Sequence, residues 1–149
     1  MRAVVQRVTH ARVIVEGQVT GEIGRGLLVL VAVGRNDSPN TPVEMARRIA
    51  QLRIFDDSAG KMNLSLFDIG GAVLVVSQFT LYGDARGQRR PSFLGAAPPE
   101  QGQAGYGEFV RALEALKVPV ATGVFQAHMS VDLANDGPVT ILLDSDKLF

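Results

Sequence analysis

The sequence predicts one α+β domain with a mostly antiparallel sheet and two main helices. Three observations carry this. Continuous β-branched and apolar runs bounded by glycine, "GLLVLVAVG" and "AVLVVSQF", read as strands covered on both faces. Two stretches of helical periodicity interrupt the strand-like segments. And a chain of 149 residues is about one domain, long enough to bury roughly 68–70% of the surface its unfolded form exposes.

"RAVVQRVTHARVIVEG" opens the chain with apolar side chains at Val4, Val8, Val13 and Val15, the pattern of an extended strand or a bent pair of strands. A turn is expected at Glu16–Gly17, and "QVTGEIG" then leads into "GLLVLVAVG", which belongs in the centre of the sheet. After the polar break "RNDSPN", Thr41 reads as an N-cap, with Pro42 at the first helical position and Glu44 three residues after the cap. Met45, Ile49 and Leu52 share one face of this helix, which is expected to end near Phe55. "DDSAGKMN" is a loop, followed by "LSLFDIGG" and the second buried strand "AVLVVSQF".

A Gly- and Pro-rich stretch, roughly residues 83–99, precedes a second helix that starts at "PPEQ" and runs to about Lys117, with Phe109, Val110, Leu113 and Leu116 as its apolar stripe. Pro119 ends it. "VATGVFQA", "MSVDLAN" and "VTILLDS" are strand-like, for a total of about seven or eight strands. No internal repeat and no second domain is visible.

Composition narrows the function. Hydrophobic residues make up 46% and charged residues 20%, and no segment approaches the about 18 consecutive apolar residues of a membrane span. The N-terminus lacks the apolar core of a signal peptide, which favours the cytoplasm. Cysteine is absent, so disulfides, thiolate nucleophiles and cysteine metal sites are excluded. The only histidines, His10 and His128, do not sit at metal-ligand spacing, and no metal or other cofactor is expected. Fifteen basic residues balance fifteen acidic ones, so any nucleic-acid contact must use a local patch. Arg86, Arg89 and Arg90 in "ARGQRRPSF" form the best one, although short basic runs are usually solvated loops. "GEIGRG" matches no nucleotide-binding fingerprint and reads as a hairpin turn.

Two stretches stand out. In "SQFTLYGD" an apolar strand ends in Ser77, Gln78 and Thr80, hydrogen-bonding side chains placed either to form a site or to cap exposed backbone. Thr80 is a conceivable nucleophile, but no sequence-adjacent base would activate it. In "NDGPVT", Pro138 has no N–H for a central strand, so the segment is either a hairpin turn or a cis Gly-Pro peptide that turns two carbonyls outward.

Together with "MRAVVQRV" at the start, "SQFTLYGD…RRPSF" and "NDGPVT" resemble the D-aminoacyl-tRNA deacylase family over essentially the whole chain. The resemblance implies a barrel-like core and a homodimer with active sites at the interface. It implies hydrolysis, without cofactor, of the ester joining a D-amino acid to the 3′ end of tRNA, and of glycyl-tRNA mischarged on tRNA(Ala). It assigns Ser77, Gln78, Phe79 and Thr80 to the catalytic motif. Gly137 and Pro138 become a cis motif that reaches into the partner's site and selects chirality. Phe125 and Met129 are implied to line the pocket for the terminal adenosine, and Arg7 to support the Gly-Pro loop. Gln126 departs from the small residue found there in many members, and "LAND" replaces the commoner "LVND". Two alternatives stay open: a non-catalytic tRNA-binding or editing-like module, and a Thr-dependent hydrolase of small esters.

Overall fold

The computed structural model describes residues 1–149. Its strands are β1 (Arg2–Val15), β2 (Gln18–Ile23), β3 (Gly26–Ala32), β4 (Phe55–Asp56), β5 (Met62–Leu64), β6 (Ala72–Ser77), β7 (Val120–Thr122) and β8 (Ser130–Asp144). The helices are α1 (Thr41–Ala50), the single turn α2 (Leu66–Ile69) and α3 (Pro99–Ala115), with a 3-10 turn at Phe79–Tyr82.

The expected turn at Glu16–Gly17 is present, with both residues at positive φ. It folds β2 back on β1, and β3 continues along the same edge of β1 in the same register: Ala11 pairs with Ile23 and Val8 with Gly26. "GEIGRG" is therefore not a hairpin turn. Gly24 and Arg25 interrupt one long arm that stays on its partner. The opposite edge of β1 carries β8, also antiparallel. β3 and β6 are parallel neighbours, as are β6 and β7. The helical crossovers explain this, because a strand that returns through a helix re-enters parallel to the one it left. Antiparallel pairing still predominates, as the sequence suggests.

β3 lies between β1 and β6 and is covered on both faces. Its alternating side chains divide between two clusters. Leu27, Val29 and Val31, with Val73 and Val75 of β6, meet Met45 and Ile49 of α1 and Phe109 and Leu113 of α3. Leu28, with Leu74 and Val76, meets Val8, Ala11 and Val13 inside the curled sheet. Each fully buried Leu or Phe contributes about 1.5–3 kcal/mol. The sheet curls nearly closed. A Cβ added at Gly21 of β2 would lie 2.4 Å from the Thr122 carbonyl oxygen of β7, so glycine permits the closest approach of the two ends.

Local corrections have local causes. Asn40, not Thr41, occupies the N-cap of α1, and its amide donates to Glu44 at 2.6 Å. The helix stops at Ala50, short of Phe55, because Phe55 enters β4 opposite Leu64. "LSLFDIGG" contains α2, started by a Ser65–Asp68 capping box. Lys117 takes the left-handed conformation after α3, with Val118 and Lys117 donating to Leu113 and Glu114, which closes the helix ahead of Pro119. No helix is long and apolar enough to cross a membrane.

Candidate active site

The parallel strands β3, β6 and β7 all end at the same side of the sheet, where side chains of open sheets commonly converge on a ligand. There the chain leaves β6 through Ser77, Gln78 and Phe79, and leaves β7 through residues 123–129. These segments surround a cavity of about 940 Å³ whose lining includes Ser77, Gln78, Phe79, Phe125, Gln126 and Met129. The two stretches "SQF" and "FQAHM", unconnected in sequence, thus form one wall system.

The details of that wall follow from backbone pairing. Gln78 N–H donates to Val31 O at 2.8 Å, extending the β3–β6 ladder by one residue. It is therefore committed, and Gln78 offers the cavity no free main-chain donor. Phe79 and Thr80 begin the 3-10 turn, and their N–H groups have no acceptor within it. Thr80 does not line the cavity, and its Oγ1 accepts a hydrogen bond from the Gln78 side chain. No basic group bonds to that hydroxyl.

Phe79 stands exposed at the mouth, edge-on to Phe93 with ring centroids 5.1 Å apart. Phe125 is anchored deeper, 5.9 Å from the Tyr106 ring. Tyr106 donates to Val75 O, and burial pushes its hydroxyl up to about 12. Gln126 adopts φ 63°, the left-handed region in which a small residue is the easier occupant. The geometry accounts for a small residue at this position and gives no reason for glutamine.

The "NDGPVT" segment is elsewhere. Neither Gly137 nor Pro138 lines the cavity of its own chain, and both are exposed. The segment is not a hairpin turn: β8 runs through it as a bulge. Gln6 pairs with Thr140 and Val8 with Asn135, so Arg7 alone faces residues 136–139. The Gly137–Pro138 peptide is cis. Asn135 braces the bulge from within, accepting from Val139 N–H at 2.7 Å and donating to Val139 O at 3.0 Å. Arg7, only 5% exposed, braces it from below. Its Nε donates to Asp136 O at 2.8 Å and its Nη1 to Ile54 O at 2.7 Å.

The basic cluster is divided. Arg86 is tied to Asp84 at 2.6 Å, and its hydrogen bonds hold the Asp84 carboxyl well below the usual range. Arg89 and Arg90 are exposed and line neither this cavity nor a second one of about 570 Å³ beside it. Sequence reasoning missed Arg35, Phe93 and His128, which line the main cavity from loops far apart in the chain. No periodicity or motif marks them. No three His, Asp or Glu side chains cluster in a way that would hold a metal ion.

Comparison with known proteins gives this geometry a family. A D-aminoacyl-tRNA deacylase of Thermotoga petrophila is 60% identical over 149 residues, covering 100% of both chains. One from Chloroherpeton thalassium is 60% identical over 146 residues, 97% of this chain and 96% of its own. A solved structure of a c-Myc DNA unwinding element binding protein superposes with TM-score 0.91 at 40% identity, covering 97% of this chain and 99% of that one. A probable eukaryotic D-amino acid tRNA deacylase shares the fold at TM-score 0.79 and 17% identity, over 95% and 97% of the two chains. The profile described as D-Tyr-tRNA(Tyr) deacylase matches residues 4–144, so the chain, with its strand-end cavity and its braced bulge, belongs to the D-Tyr-tRNA(Tyr) deacylase family.

Proposed function

We propose that this protein hydrolyses the ester bond of D-aminoacyl-tRNA, releasing the free D-amino acid and tRNA, and that it also clears glycyl-tRNA mischarged on tRNA(Ala). One observation carries the reading. In a chain of this family, the Ser77–Phe79 strand end and the Phe125–Met129 loop enclose one cavity, while the Gly137–Pro138 bulge faces outward from its own chain.

The active unit is a homodimer in which each bulge enters the partner's cavity. There the carbonyls of Gly137 and Pro138 accept from the α-ammonium group of the substrate. With that group and the ester both fixed, inverting the Cα exchanges its hydrogen with its side chain. A D side chain points to solvent, and glycine has none to place. An L side chain runs into the bulge backbone. Selection thus rejects the wrong hand and leaves side-chain identity unread. Such a clash is worth more than the about 1–3 kcal/mol that a hydrophobic pocket gains from one methylene.

Phe125 and Met129 hold the terminal adenosine against the cavity wall. The N–H groups of Phe79 and Thr80 stabilise the oxyanion of the tetrahedral intermediate, since Gln78 N–H is occupied. The nucleophile is water, helped by the 2′-OH of the terminal ribose, because no group in the structure deprotonates Thr80.

The test pairs D-tyrosyl-tRNA with L-tyrosyl-tRNA at substoichiometric protein. Repeated turnover of the D substrate with the L substrate spared is expected. Absence of turnover favours a non-catalytic tRNA-binding module. Thr80→Ala is expected to keep its turnover, and a substrate ending in 2′-deoxyadenosine to resist cleavage. The reverse pair of results assigns the chemistry to a Thr-dependent esterase.

A further inference from the structure

We infer that Arg35 binds the phosphodiester that joins the terminal adenosine of the substrate to the preceding nucleotide. This rests on the deacylase reading above and adds to it the residue that holds the RNA backbone where it leaves the reactive cavity.

Arg35 lines both the reactive cavity and the polar cavity of about 570 Å³ beside it, so it forms the ridge between them. Of the three arginines that line either cavity, it alone has no carboxylate partner. Arg2 is bound to Asp144 at 2.9 Å and Arg86 to Asp84 at 2.6 Å, and both are largely neutralised. The second cavity also carries Asp37, Asp84 and Asp146, so its interior does not favour a phosphate. The ridge does.

The mount is rigid. Arg35 N–H donates to Gly95 O at 2.9 Å, and Gln101 Nε2 donates to Arg35 O at 3.1 Å. Just before it, Ala97 N–H donates to Val33 O at 2.9 Å and Gly34 bridges Ala96. A guanidinium on a fixed ribbon, exposed and unpaired at the edge of the cavity, is built for bidentate contact with phosphate oxygens. Arg89 and Arg90 are equally unpaired but line neither cavity, which leaves them no comparable place on the substrate.

The experiment compares two substrates on Arg35→Gln: D-tyrosyl-tRNA, and D-tyrosyl-adenosine, which has no phosphate. With the tRNA, KM is expected to rise about tenfold with kcat nearly unchanged. The slope of log kcat/KM against log salt is expected to flatten by about 0.7, one phosphate contact on a single strand. With the adenosine ester, Arg35→Gln should equal the wild type, and Arg35→Lys should restore part of the tRNA effect. Equal losses on both substrates, or no loss on either, overturn the proposal. Failure of the wild type to cleave D-tyrosyl-tRNA at all would instead overturn the deacylase reading.

Discussion

Replacing Arg7 tests whether the bulge at residues 136–139 is held from below. The guanidinium is 5% exposed and donates to two main-chain carbonyls, Asp136 O at 2.8 Å and Ile54 O at 2.7 Å. It also approaches the carboxylates of Asp56 at 3.4 Å and Asp136 at 3.5 Å. Those acids are about half exposed and re-solvate when the arginine is removed, so they add little. The carbonyls dominate. Each hydrogen bond from a charged donor is worth about 1.5–3 kcal/mol, which puts Arg7→Ala at about 3–6 kcal/mol of lost stability. Arg7→Lys keeps the charge, but one ammonium cannot replace a planar fork that serves two separate chain segments, and about half that loss is expected. The chain has no tryptophan, so urea unfolding is followed by far-UV circular dichroism. Deacylation should fall further than stability. Even the folded fraction of Arg7→Lys should lose about 10²-fold in kcat/KM on D-tyrosyl-tRNA, the usual effect of moving a positioning group by about 1 Å. Wild-type activity and stability in Arg7→Lys would refute the idea that the fork geometry positions the bulge.

Three further perturbations probe the same architecture. Asn135→Ala leaves Val139 N–H without its acceptor, and should cost about 1–3 kcal/mol with a parallel loss of D-tyrosyl-tRNA turnover; unchanged unfolding and turnover would show that the brace is idle. Gly21→Ala drives a Cβ to 2.4 Å from the Thr122 carbonyl, and a loss of about 1–3 kcal/mol in urea unfolding is expected, whereas a neutral result would mean that β2 and β7 do not approach so closely. Burial raises Tyr106 from 10 to about 12, so between those values the unfolded chain has lost a proton that the folded one keeps. Stability from this group is complete below pH 10 and declines by about 2–3 kcal/mol toward pH 12, and this decline should be missing from the Tyr106→Phe curve and so appear in the difference between wild type and variant.

The sequence made the local elements legible wherever one periodicity ran without competition. The Met45 and Ile49 stripe and the Phe109 and Leu113 stripe both face the core as expected, and "GLLVLVAVG" lies centrally and covered. Ends of elements were less visible, because they depend on distant partners. Nothing in "QLRIF" tells that α1 stops at Ala50; the pairing of Phe55 with Leu64 decides it. Likewise, the glycines of "GEIGRG" look like a turn until β1 is known to extend past them and hold both β2 and β3 on one edge. The same distinction governs the site. Ser77, Gln78 and Thr80 stand out as polar groups at a strand end, and Phe79, Phe125 and Met129 only through resemblance. The structure brings all of these except Thr80 to one cavity. Arg35 sat in a polar break with no distinguishing pattern, and only the ribbon formed with residues 95–97 gives it a position.

The main cavity is poor in groups that change charge, and this has a kinetic consequence. Among its lining side chains only Arg35 and His128 are basic, and none is acidic. Arginine keeps its proton at every working pH. His128 is thus the one lining side chain of a type that serves as a general base, and any enzyme base in the cavity would have to be this residue. It is exposed, and no hydrogen bond orients it toward Ser77 or Phe79, whereas an effective base is held within hydrogen-bond reach of the proton it takes. Water attack assisted by the substrate's own 2′-OH needs no such residue. His128→Gln should therefore deacylate D-tyrosyl-tRNA within about threefold of the wild type, below the about 10²–10⁴-fold that a positioned general base supplies. The two proteins should also share one pH–rate profile. A collapse of the rate together with a changed pH–rate profile would move the base from the RNA to the protein. An unchanged profile leaves the protein as a rigid frame of main-chain donors and acceptors around a substrate that carries its own activating hydroxyl.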